Sequence, residues 1–134
     1  MLLLKNLHLE YLDLYLIHSP VQLRKGSNIL KLVDEDKLGY NPSVIAQCWE
    51  VRDIVCYMYV CECTYGNTMH THTQGMEELI SKGLVKAIGI SNFTITKTEH
   101  LLQTAKIVPA VNQVECHPYL QQPKLKEYLD SKGG

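Results

Sequence analysis

The sequence predicts an α/β fold assembled from parallel β/α units. Two observations predict it. Short apolar runs alternate with amphipathic helical stretches, in the order strand, helix, strand, helix, strand, helix. The runs are closed by Pro, Gly or polar residues, as buried strands are. A third observation sets a puzzle: residues 51–74, rich in Cys, Tyr, Thr and His, resemble nothing around them.

The elements follow in chain order. Lys5 to Tyr11 reads as a helix end. In LDLYLIHSP, Leu12, Leu14, Leu16 and Ile17 form a buried strand over 12–17, stopped by Pro20, with His18 at its C-terminal end. Residues 19–43 read as one long loop, and loops of that length are usually functional. Ser43 is the expected cap of the next helix, because its hydroxyl can accept an orphan backbone N–H. Val44, Ile45, Cys48 and Trp49 follow at helical spacing. Beyond the odd stretch, Met76, Leu79 and Ile80 continue a helix, and Gly83 ends it. GLVKAIGIS supplies a second strand, and Ser91 to Phe93 a loop. Thr94 or Thr96 caps a helix that runs to Lys106. AVNQVE is a third strand and HPYLQQP a loop. Pro123 opens the last helix.

The odd stretch breaks the phase of a helix. If Glu50 were joined to Gly75, the apolar positions from Val44 to Ile80 would form one continuous core-facing stripe. With 51–74 present, the second half is rotated by roughly 240° relative to the first. The ends of the insert also match splice signals. Val-Arg can be encoded by GTAAGx, and Thr-Gln can end in CAG. The expectation is one domain, 1–134, interrupted by a disordered insert at 51–74 that derives from a retained intron or a misplaced exon boundary; the rival reading is a genuine surface insertion. Cys61, Cys63, His70 and His72 could offer two thiolates and two imidazoles to zinc, but one residue between the cysteines is unusual spacing. No metal site is expected.

Bulk properties narrow the function. The chain has 134 residues and a formal net charge of −1, with no basic run. Nucleic acid and anionic membranes are not the expected partners, since both attract a basic surplus. No segment approaches the roughly 20 apolar residues of a membrane span, and the N-terminal apolar run is too short for a signal peptide. Five cysteines, three of them in the insert, suit a reducing cytoplasm better than a disulfide framework. The strand–helix start lacks GxGxxG, which argues against a Rossmann site.

LDLYLIHSP, GLVKAIGISNF and PAVNQVECHPYLQQPKLKEYLDSKG resemble the aldo-keto reductase family. Met76 to Phe93 is similar to the family's signature around its fifth barrel strand, with Lys86, Gly89, Ser91, Asn92 and Phe93 in place. QVECHPY is similar to the sixth-strand segment. The resemblance implies an incomplete TIM (β/α)8 barrel covering about strands 4 to 6, and a cofactor, NADP(H), that reduces aldehydes and ketones. By it, His18 orients and polarises the carbonyl, while Ser91, Asn92 and Gln113 bind the nicotinamide carboxamide. Ser19 departs from the aromatic residue many members carry. Glu115, Cys116 and His117 read as structural, with Cys116 a buried thiol. Residues 21–43 correspond to a variable loop that shapes the substrate pocket.

The family's general acid is a Tyr, tuned by a Lys that pairs with an Asp. All three precede the LIHxP strand and are absent here, and Tyr11 and Tyr15 stand in the wrong context to substitute. Members also continue past the SKGG segment into strands seven and eight. The expectation is a fragment or splice product of an NADPH-dependent carbonyl reductase, inactive alone. The alternative is a non-catalytic binding protein that pairs its strands with a full-length relative.

Overall fold

A computed structural model describes residues 2–23, 33–50, 58–60 and 75–133. Three parallel strands form its centre: β1 (Leu12–Leu23), β4 (Val85–Ser91) and β5 (Asn112–Gln113). β1 and β4 pair in parallel from Leu12↔Val85 to Ile17↔Ile90, and β4 and β5 pair at Ile90↔Asn112 and Ser91↔Gln113. The helices are α1 (Leu2–Leu7), α2 (Pro42–Glu50), α3 (Met76–Ser81), α4 (Ile95–Leu102) and α5 (Pro123–Ser131).

Alternation along the strands divides the sheet into two faces. Ile17, Ile88 and Ile90 turn to the helices and are at most 1% exposed. They join Ile45 and Trp49 of α2, Met76 and Leu79 of α3, Phe93, and Leu101 of α4 in one core. The stretches on both sides of 51–74 therefore bury their apolar stripes in the same place, as two separate helices. Both also hold one loop. Trp49 Nε1 donates to Ile107 O at 3.1 Å, and Glu77 Oε1 accepts from Lys106 N at 2.7 Å and Ile107 N at 3.0 Å. The opposite face, which carries Leu14, Leu16 and His18, leaves Leu14 42% exposed.

Several expectations are corrected. β1 does not stop at Pro20 but runs to Leu23. Beyond Ile17 its partners are antiparallel: β2 (Lys37–Gly39) at Gln22↔Gly39, and β3 (Met58–Val60) at Ile17↔Val60, Ser19↔Tyr59 and Gln22↔Met58. The pairing steps over Pro20, with a register shift between Ser19 and Gln22. Proline is tolerated at such an irregular edge because no ladder N–H is required of it. The loop expected over 19–43 thus contains the end of β1, a 3-10 turn at Asp34–Asp36, β2, and the start of α2. Within the insert expected to be disordered, Met58–Val60 form a strand. The rest of 51–74 lies outside the described residues, as do Cys61, Cys63, His70 and His72.

The cap of α2 is Asn41, not Ser43: Asn41 Oδ1 accepts from Ser43 N at 3.0 Å and Val44 N at 3.4 Å. Pro42 fits the first helical position, where its missing N–H is no loss. Thr94 caps α4 through Lys97 N at 3.4 Å, and α4 ends at Leu102 rather than Lys106. β5 is two residues long, although its hydrogen bonds begin at Ala110 N→Ile88 O, 2.8 Å.

Candidate functional site

The C-terminal ends of adjacent parallel strands are where side chains from different units meet. Register fixes the meeting here. Ile17↔Ile90 sets His18 level with Ser91, and Ser91↔Gln113 sets Ser91 beside Gln113. Asn92 follows Ser91 with φ 61, a left-handed conformation that Asn adopts more readily than most residues. All four residues expected from the sequence are brought together.

Hydrogen bonds tie them. Asn92 Nδ2 donates to His18 O at 2.9 Å and to Ser91 Oγ at 3.2 Å, so one amide bridges β1 and β4. Ser91 Oγ donates to Gln113 O at 2.7 Å, and Asn92 N donates to the same carbonyl at 2.9 Å. Ser91 is 2% exposed, while His18, Asn92 and Gln113 are exposed. His18 lies on the face opposite Ile17, which along β1 also carries the exposed Leu14.

Close backbone approach under the site explains Gly89. A Cβ there would stand 2.6 Å from Leu16 Cδ2, 2.8 Å from Val111 Cγ2 and 3.0 Å from Val111 O. Asn112, which the sequence reading passed over, grips the turn from behind. Phe93 N donates to Asn112 Oδ1 at 3.3 Å, and Asn112 Nδ2 donates to Phe93 O at 2.9 Å. The only sequence signal for it is an Asn inside a strand, where Asn is disfavoured.

The loop after β5 differs from expectation. Cys116 is an exposed free thiol, not a buried one. The loop is held by its own contacts rather than by the core: His117 Nε2 lies 3.0 Å from Glu115 Oε1, His117 and Leu120 bridge through their backbones, and Cys116 Sγ lies 3.9 Å from Gln121 O. At the opposite end of the strands, Lys86 Nζ pairs with Asp13 at 2.8 Å and lies 4.0 Å from the centre of the Tyr11 ring. The Asp13 carboxylate, and then the Tyr11 hydroxyl, hold the Lys86 ammonium above its ordinary pKa. Among the described residues no cluster of His, Cys, Asp and Glu could hold a metal ion, and no helix is long and apolar enough to cross a membrane.

The sequence pattern of the Aldo/keto reductase family matches residues 3–134. Aldose reductase C of Dictyostelium discoideum is 41% identical over 127 residues, covering 95% of this chain and 34% of that protein. Prostaglandin-E(2) 9-reductase of Oryctolagus cuniculus is 37% identical over 132 residues, covering 97% and 33%. Among solved structures, the aldose reductase of Schistosoma japonicum superposes with TM-score 0.63 at 34% identity, covering 97% of this chain and 35% of that one. The Bombyx mori aldo-keto reductase, solved in complex with NADP, superposes with TM-score 0.60 at 29% identity, covering 97% and 31%. The chain spans about a third of the length of these relatives. Members of the family use NADP(H). Motif, register and superposition agree: this chain belongs to the aldo/keto reductase family.

Proposed function

We propose that these residues form about strands four to six of an NADPH-dependent aldehyde or ketone reductase barrel, and that His18, Ser91, Asn92 and Gln113 are the share of the active site they carry. The observation that supports this is the convergence of the four at the C-terminal ends of three adjacent parallel strands, where such barrels place their chemistry.

The donors and acceptors fit a nicotinamide carboxamide, which offers one acceptor and two donors. Asn92 directs its Nδ2 at His18 O and Ser91 Oγ, which leaves Oδ1 as its acceptor. The exposed Gln113 amide brings one acceptor and a donor group. Asn92 Oδ1 and Gln113 Oε1 would accept from the carboxamide nitrogen, and Gln113 Nε2 would donate to its oxygen. Ser91 spends its proton on Gln113 O and so fixes the strand end that presents Gln113. Bound NADPH supplies a hydride. His18 would aim an imidazole N–H at the carbonyl oxygen and stabilise charge developing there.

Reduction also needs a proton donor, and Tyr11, Tyr15, Tyr40, Tyr119 and Tyr128 are engaged in other surroundings. Tyr11 packs against Lys86 seven residues before His18, roughly 23 Å along an extended strand. Tyr15 packs on the core, Tyr40 bonds His100 Nδ1 at 3.1 Å, and Tyr119 lies edge-on to His117. Burial raises the Tyr40 and Tyr128 hydroxyls above the ordinary pKa, the wrong direction for a proton donor near neutrality. The 134-residue polypeptide assayed with NADPH and an aromatic aldehyde is expected to show no turnover. NADPH oxidation abolished by His18→Ala would overturn this.

A second reading, strand pairing with a full-length relative, is favoured by the exposed inner-face Leu14 and Val111. Stable association with such a relative, without NADPH binding, is its signature. For the insert, sequencing transcripts across codons 50 to 75 is decisive. Transcripts lacking the intervening bases identify a retained intron, and their uniform presence identifies a genuine insertion.

A further inference from the structure

Asn112 precedes Gln113 and faces the other side of β5, where it lines an apolar cleft with Thr98 and Leu102 of α4 and Leu129 of α5. The backbone ladder between β4 and β5 ends at Asn92 N→Gln113 O, 2.9 Å. The Asn112 amide adds one more rung past that point, its side chain standing in for main chain. It accepts from Phe93 N at 3.3 Å and donates to Phe93 O at 2.9 Å. Asn92 is thereby held on both sides, by the Gln113 carbonyl before it and by the clamped, 1% exposed Phe93 after it. A non-glycine residue at positive φ persists only where its surroundings over-determine it. That conformation is what lets the Asn92 amide reach both His18 O and Ser91 Oγ.

We propose that Asn112 is a positioning residue. It locks the turn so that the Asn92 side chain bridges β1 and β4 and keeps its Oδ1 for a ligand. The inference rests on the cofactor reading only for the identity of that ligand.

The test uses the isotopically labelled full chain and its Asn112→Ala and Asn112→Asp variants, followed by NMR. In Asn112→Ala, amide exchange at Asn92 and Phe93 is expected to rise about five- to ten-fold, the size of one lost net hydrogen bond, and the Asn92 side-chain resonances to shift. Core amides such as Ile88 stay unchanged. Asn112→Asp keeps the acceptor for Phe93 N and loses the donor to Phe93 O, so its rise is smaller. General destabilisation would instead raise every core amide together. Should Asn112→Ala not fold, Asn112→Asp carries the test. Unchanged exchange and unchanged Asn92 side-chain resonances in the folded variants overturn the proposal. Titration with nicotinamide mononucleotide separates the two readings. Shifts at Asn92 and Gln113 in the parent chain, lost in Asn112→Ala, support both. The expected exchange pattern with no nucleotide shifts in the parent chain upholds the role of Asn112 and overturns the cofactor reading.

Discussion

Single residues here act through backbone. Gly89 has no room for a methyl group, because Leu16, Val111 and the Val111 carbonyl all crowd the position. Gly89→Ala is expected to destabilise the chain by about 1–3 kcal/mol, the usual cost of overpacking, read as a lower urea midpoint with an unchanged slope. Glu77 is a buried carboxylate, 8% exposed, that satisfies two backbone N–H groups of the loop after α4. Removing it orphans both donors, so Glu77→Ala is expected to cost about 1–3 kcal/mol. Glu77→Gln retains Oε1 and should cost visibly less in the same unfolding assay.

At the scale of elements, the unusual feature is the edge of β1. Its first half pairs in parallel with β4, but residues 17–22 also meet an antiparallel strand from the insert. Strand edges left bare invite association with other chains, and β3 covers this one. Tyr59→Pro removes a backbone N–H from β3 and should strip hydrogen-exchange protection from the Ile17–Gln22 segment while leaving Leu101 of α4 unaffected. Unchanged protection across that segment would show that the pairing contributes nothing. The helices on either side of the insert need no such help. α2 is capped by Asn41, and α2 and α3 are each anchored in the common core, by Trp49 on one side and by Met76 and Leu79 on the other.

For the whole molecule, the resolved titrations near pH 10 share a sign. Burial keeps the Tyr40 phenol protonated above its ordinary range; burial, and then the Glu99 carboxylate, do the same for Tyr128. The Asp13 carboxylate, followed by Tyr11, keeps Lys86 protonated above its own. In each case the unfolded chain releases its proton first as pH rises, so the folded state binds more protons and stability falls. The melting temperature should therefore decline above about pH 10, and Tyr40→Phe should flatten part of that decline. A profile identical in the parent and Tyr40→Phe would remove Tyr40 from the account. The sequence by itself determined the parallel β/α order and the strand cores, because apolar runs are local patterns; the candidates His18, Ser91, Asn92 and Gln113 are singled out only by the resemblance of their segments to the family. Tertiary structure alone decided the antiparallel pairing of β2 and β3, the exposure of Cys116, the grip of Asn112 on Phe93 and the pairing of Asp13 with Lys86 across 73 residues. These depend on which distant segments meet, and a sequence pattern records what a residue prefers without recording its neighbour.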